Sequence, residues 1–183
     1  DELCRRSGTC FFSGDSHGLF ASFFMNLNSH RFTIESKQKA DAVTQQSTSE
    51  TGSLEYPSLQ KALEASWSDL KRVSPTFYAL QALYAAHDKN GKYIAGADEE
   101  LLKETKAQLA SAHGVDQAVF NDELIKMIGS QATLDLSAVC SIVAGMVADQ
   151  VIKAVSGKDK PLSNYFVFDG REGAGSVLNL GGA

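Results

Sequence analysis

The chain has 183 residues and a formal net charge of −5, from 17 basic and 22 acidic residues, and 43% of its residues are hydrophobic. This length fits one domain, or one domain with a small second unit, and allows a substantial core. The mild acidity, without any basic run, argues against a nucleic-acid-binding protein. The cysteines, Cys4, Cys10 and Cys140, are odd in number and lack Cys-x-x-Cys spacing, which indicates a reducing compartment and no disulfide framework.

The first 36 residues predict β-strands and no helix. They are rich in aromatic residues, which favour strands. The predicted strands cover residues 9–13, 17–27 and 30–36. We expect a turn at Gly14-Asp15, and a tight hairpin at Asn28-Ser29 that joins the second strand to the third.

Residues 37–56 are polar and rich in Ser, Thr and Gln. Such a segment buries too little apolar surface to offset the entropy lost on ordering. We therefore predict a long flexible loop at 37–56, and a connection of this length inside a compact domain often marks an insertion.

The hydrophobic period becomes helical after residue 56, which predicts a helical insertion over 57–130. The predicted helices lie after Ser58, after the Ser74-Pro75 pair, over 97–113 and over 115–130. Ser74 is a typical capping residue, and Pro75 is typical of a first helical turn. Gly114 is expected to end the third of these helices.

The most apolar segment predicts a helix over 136–157, capped by Ser137 and ended by Gly157. Its apolar residues lie nearly all round the helix, which predicts burial on several sides. Its polar residues, with Asp149 and Gln150 adjacent, make it too polar and too short for a membrane span. The Ala144-Gly145 pair offers a place where another backbone can come close.

The last segment predicts a strand, a glycine-rich turn and a second strand, so that residues 131–183 hold the core helix and a closing strand pair. The glycines at 170, 173 and 175 have the reverse of the spacing that a dinucleotide-binding loop requires, and a strand follows them instead of a helix. This pattern favours a simple hairpin over a phosphate-binding loop.

We find no catalytic or metal-binding constellation in the sequence. Cys10 is expected inside a strand and Cys140 inside the buried helix, where a thiol acts as a small apolar group. Cys4 lies near a terminus that we expect to be frayed. The four histidines do not pair at metal-ligand spacing. Asp15 lies near a strand end, where turn chemistry and a site are both open interpretations.

Both ends of the chain resemble one family. FFSGDSHGLFASFFMNLNSHRF (11–32) is similar to the middle of the adenylation domain of ubiquitin-like activating enzymes. AVCSIVAGMVADQVIKAVSGKDKPLSNYFVFDG (138–170) resembles the helix, the turn and the aromatic strand ending in Phe-Asp-Gly of the same domain. SWSDLKRVSPTFYALQAL (66–83) resembles the helical segment of the small, non-catalytic subunit of the SUMO-type enzyme. The family's Gly-Gly and Gln-Glu pairs are Ala144-Gly145 and Asp149-Gln150 here.

The resemblance implies an α/β fold: the C-terminal half of a Rossmann-like, ThiF-type adenylation domain with mixed sheet strands and a helical insertion. Residues 1–36 would be sheet strands of the inactive adenylation domain. We also expect from the resemblance a Rossmann-like half before residue 1, which would carry the glycine-rich loop. The position of the chain end after the closing strands favours the two-chain type of enzyme.

The resemblance further implies a regulatory subunit that has no catalytic residue and binds no cofactor or metal itself. ATP and Mg²⁺ are expected in the catalytic SUMO-activating subunit, which would be the heterodimer partner, with SUMO contacted indirectly and a nuclear and cytoplasmic location. The expected subunit-interface or core residues are Val139, Val143, Met146, Val147, Phe166 and Phe168. Two alternatives stay open at this point: a regulatory subunit for another ubiquitin-like modifier, or a non-enzymatic adaptor that binds a protein through helices 57–128.

Overall fold

The computed structural model describes residues 1–37, 47–91 and 99–182. Its helices are α1 Glu2–Arg6, α2 Leu59–Glu64, α3 Pro75–Asn90, α4 Glu99–His113, α5 Asp122–Ser130 and α6 Ser137–Ser156. Its strands are β1 Phe11–His17, β2 Phe20–Asn26, β3 Ser29–Lys37, β4 Ser47–Glu55, β5 Tyr165–Asp169 and β6 Ala174–Leu178. The predicted α/β class is confirmed.

The main sheet has four strands in the order β1-β2-β5-β6, and every pairing in it is antiparallel. Strand β2 comes early in the chain and pairs with β5 near its end, with Phe20 opposite Asp169 and Phe24 opposite Tyr165. The predicted closing strand pair is confirmed as the β5–β6 hairpin. This hairpin completes the sheet because β5 pairs with the earlier strand β2.

The central strands β2 and β5 are buried on both faces because successive side chains point to opposite sides. Phe20, Phe24 and Val167 enter one core, between the sheet and α2 to α5. Phe23 and Phe166 enter a second core, between the sheet and α6. The helices therefore lie on both sides of the sheet, with α6 alone on the second side among the described helices.

The predicted turn at Gly14-Asp15 is wrong, since both residues lie within β1. The chain turns instead at Gly18, whose φ of 59° is in the left-handed region that glycine adopts without strain. The pairing of Phe11 with Asn26 and of His17 with Phe20 makes β1 and β2 one continuous hairpin.

The predicted hairpin at Asn28-Ser29 is also wrong, because β2 and β3 belong to different sheets. Strand β3 pairs with β4, from Ser29 opposite Glu55 to Lys37 opposite Ser47, in a separate two-stranded sheet. Asn28 does adopt a positive φ of 59°, so the chain bends there, but it bends out of the main sheet.

The flexible loop predicted over 37–56 is wrong for residues 47–55, which form strand β4. Residues 38–46 lie outside the described part of the chain. Polar residues can form strand β4 because cross-strand hydrogen bonds to β3 satisfy the backbone of β4. The side chains of β4 therefore need not be buried, and the sequence shows no apolar strand pattern there. One parallel bridge between Thr33 and Lys158 ties this small sheet to the end of α6.

The helical predictions are confirmed for α2, α3 and α4, although residues 97 and 98 of the predicted third helix are not described. The fourth helix, predicted over 115–130, is wrong before Asp122. Gln117–Val119 form a separate 3-10 turn, and Asn121 caps α5 by accepting a hydrogen bond from the backbone N–H of Leu124. Ser58 accepts a hydrogen bond from the backbone N–H of Lys61, and Ser74 accepts one from that of Thr76. Gly114 ends α4 with a φ of 67°. The divisions at 36, 56 and 130 stay predictions as domain boundaries.

The predicted frayed N-terminus is instead a short helix that is tied down. The Arg5 guanidinium donates to Asn26 Oδ1 at 3.1 Å and to the carbonyl of Tyr56 at 2.9 Å. Asp1 accepts from the side chain of Asn26 at 2.8 Å and from the backbone N–H of Leu59 at 2.7 Å. These bonds join α1 to the sheet and to α2.

Candidate functional site

The six residues that the sequence singled out lie where α6 meets the sheet. Val139, Val143, Phe166 and Phe168 are between 3% and 8% exposed, and Met146 and Val147 pack against them half-buried. Phe166 stacks on Phe23 with 5.1 Å between ring centroids. The structure therefore places all six in or against the second core, and a role for them in a subunit interface stays a prediction.

The predicted burial of α6 on several sides is wrong. Only Val139, Val143 and Gln150 are buried in this 20-residue helix. Ile142 is 49% exposed, Ile152 66% and Val155 83%. The apolar residues all round α6 predicted this burial, but apolar composition alone does not tell which neighbours a helix has.

By length and composition, α6 is the one helix among the described residues that could cross a membrane, with a mean hydropathy of 1.6 and 17% of that window buried. The expectation that it is too polar and too short for this is therefore wrong. Its packing on the sheet nonetheless holds it along its length, through Val139 and Val143 and through Gln150 near its end.

The end of α6 is fixed by a buried amide. Gln150, 1% exposed, accepts a hydrogen bond from the backbone N–H of Leu162 at 2.8 Å. The Tyr56 hydroxyl donates to the carbonyl of the same Leu162 at 2.7 Å. Gly157 then ends the helix with a φ of 64°, as predicted. Ser137 is the first helical residue and Leu136 occupies the cap position, so the predicted Ser137 cap is wrong.

An open cavity of about 530 Å³ lies beside α6, between that helix and β1. Its apolar wall includes Phe12, Phe23, Val143 and Val147. Cys140 lies in the same wall, half-buried, with its Sγ 3.4 Å from Ser16 Oγ. The cavity thus lies where α6 faces β1, which is an edge strand of the main sheet.

A second cavity, of about 350 Å³, lies on the opposite face of β1. Its floor is a hydrogen-bonded cluster around Tyr165, whose hydroxyl lies 3.2 Å from Ser22 Oγ and accepts from Gln81 Nε2 at 2.8 Å. The Tyr84 hydroxyl lies 3.0 Å from the same Ser22 Oγ and so belongs to this cluster. Burial raises the pKa of Tyr165 to about 12, so this cluster is neutral and is not a proton-transfer group at neutral pH.

A charged cluster fixes the start of the closing turn. Asp169 is 4% exposed and accepts from the Thr76 hydroxyl at 2.6 Å and from Arg171 Nη2 at 2.6 Å. Burial acts to raise the pKa of Asp169, but the hydrogen bonds from Arg171 and Thr76 outweigh it, and the pKa lies below its usual value. The glycine segment after Asp169 is a hairpin turn, as predicted, with Gly173 at a φ of 62°.

The remaining candidates do not form a catalytic group among the described residues. Cys10 is exposed and precedes β1, so the expectation that it is buried in a strand is wrong. His17 is buried, with Nδ1 2.8 Å from the carbonyl of Ala132 and Nε2 3.5 Å from Asp15. In the described ranges no three His, Cys, Asp or Glu side chains converge as a metal site would require.

No protein-family model matches the chain. It is similar, however, to SUMO-activating enzyme subunit 1 of several organisms. The protein from Bos taurus is 30% identical over 207 aligned positions, which cover 99% of this chain and 58% of the relative. The Homo sapiens protein is 28% identical over the same shares, and subunit 1A of Arabidopsis thaliana is 28% identical over 98% of this chain and 55% of the relative.

The chain thus spans 55% to 58% of the length of these curated relatives. The match includes both segments from which the sequence analysis drew its resemblance, 11–32 and 138–170, since almost the whole chain is aligned. The resemblance to the small subunits of SUMO-activating enzymes is confirmed.

Proposed function

We propose that this chain is part of the small, regulatory subunit of a SUMO-activating enzyme. The observation that carries the proposal is the similarity to SUMO-activating enzyme subunit 1, which extends over 98% to 99% of the chain in animal and plant relatives. The described residues also form the α/β arrangement with a helical layer that a ThiF-like domain would supply.

The whole enzyme would adenylate the C-terminus of SUMO with ATP and Mg²⁺ and then carry SUMO as a thioester. In this proposal the ATP, the Mg²⁺ and the thioester cysteine belong to the catalytic partner subunit. The polar clusters of this chain fit a supporting role, because Tyr165 and Asp169 are engaged by their own neighbours, Gln81, Thr76 and Arg171. A nuclear and cytoplasmic location belongs to the same proposal.

The experiment is reconstitution from purified components. The full-length subunit that contains this chain is combined with the catalytic subunit of the same organism, SUMO and Mg-ATP, and thioester formation is followed on non-reducing gels. We expect a thioester when both subunits are present and none when either is omitted.

Ubiquitin and a second ubiquitin-like modifier serve as matched substrates in the same assay. A thioester with one of them, and none with SUMO, would contradict the proposal. A small subunit whose omission leaves SUMO loading unchanged would contradict it as well.

A further inference from the structure

We draw no further inference here: the strongest candidate, the cavity of about 350 Å³ between β1 and α3, carries nothing because the hydroxyl and amide groups on its floor bond to one another and nothing in the described part of the chain shows what would fill it.

Discussion

The two faces of the main sheet are covered in different ways, although the same two strands supply both. On one face α3 is buried continuously from Thr76 to Leu83, because α4 and α5 pack on the side of it that points away from the sheet. On the other face α6 packs on the sheet through Val139 and Val143, and much of its opposite side is exposed.

From composition alone, α6 would be expected to be more buried than α3. Helix α3 carries polar residues such as Thr76, Gln81 and Tyr84, whereas α6 has one acid and one lysine in 20 residues. The burial of a helix thus depends on how many layers of structure lie over it. Much of the apolar surface of α6 stays exposed within the part of the chain that the structure describes.

The largest effect is expected in the helical core. Trp67 is 2% exposed, stacks on His113 with ring centroids 3.7 Å apart, and meets Phe77 edge-on at 5.1 Å. Trp67→Ala should lower the free energy of unfolding by about 4 kcal/mol, because it leaves a large cavity between packed helices.

Denaturant unfolding measures this loss, with Leu3→Ala, at a residue 80% exposed, as the control. Equal losses for the two variants would contradict this prediction, since the helical core would then be no better packed than the surface.

The second prediction separates the two sides of α6. Val143→Asp places a charge against Phe23 and Phe166 in the second core and should cost about 3 kcal/mol. The open cavity beside Val143 allows some hydration, which keeps the cost below that of a fully enclosed charge.

Its neighbour Ile142 is 49% exposed, and Ile142→Asp should change the free energy of unfolding by less than about 0.5 kcal/mol. Chemical denaturation of both variants is the measurement, and a large loss for Ile142→Asp would show that its side of α6 is covered within the folded protein.

The third prediction concerns the charged cluster that ties α3 to β5. Asp169→Asn removes the charged acceptor of Thr76 and Arg171 and should cost about 2 kcal/mol at neutral pH. Because the pKa of Asp169 is lowered in the folded state, its contribution is present above the unfolded pKa and is lost as the pH falls through the folded value.

Unfolding measured between neutral and acidic pH should therefore show a smaller loss of stability for Asp169→Asn than for the wild type. If the stability of both proteins depended on pH in the same way, the pKa of Asp169 would not differ between the folded and unfolded states.

Among the substitutions of buried residues, the smallest loss of stability is expected at the neutral polar cluster around Tyr165. Tyr165→Phe deletes the hydroxyl that accepts from Gln81, leaves this buried amide without that partner, and should cost about 1 kcal/mol. The pKa of Tyr165 is raised to about 12 by burial, so its contribution is present below the unfolded value and is lost as the pH rises through the folded one.

Absorbance of tyrosinate during an alkaline titration checks the pKa, with the loss of one late-titrating group expected in Tyr165→Phe. Early titration of all tyrosines in the wild type would contradict the burial of this cluster.

Much of the fold followed from local patterns. Ser58 and Ser74 identified helix starts, Gly114 and Gly157 identified helix ends, and the aromatic run at Tyr165 identified a strand. These signals act within a few residues, because they depend on capping bonds, positive φ angles and strand propensity. The family resemblance was also available from the sequence, since it depends on residue order alone.

Strand pairing did not follow from local patterns. Tight-turn chemistry at Asn28-Ser29 predicted a hairpin, but β2 pairs with β5, almost 140 residues later in the chain. The polar segment that contains β4 gave no strand signal, because its pairing with β3 needs no buried side chains. The positive φ at Gly18 and the long-range pairing of β2 are properties of the assembled sheet.

The order of the residues was enough to predict the class of the fold, most helix limits, the apolar character of α6 and the family that the chain resembles. The tertiary structure alone decided which side of α6 is buried, and it placed Val143 in the core while it left Ile142 exposed. The physical reason is that hydrophobicity is a property of each residue, whereas burial depends on which neighbours the fold brings against it.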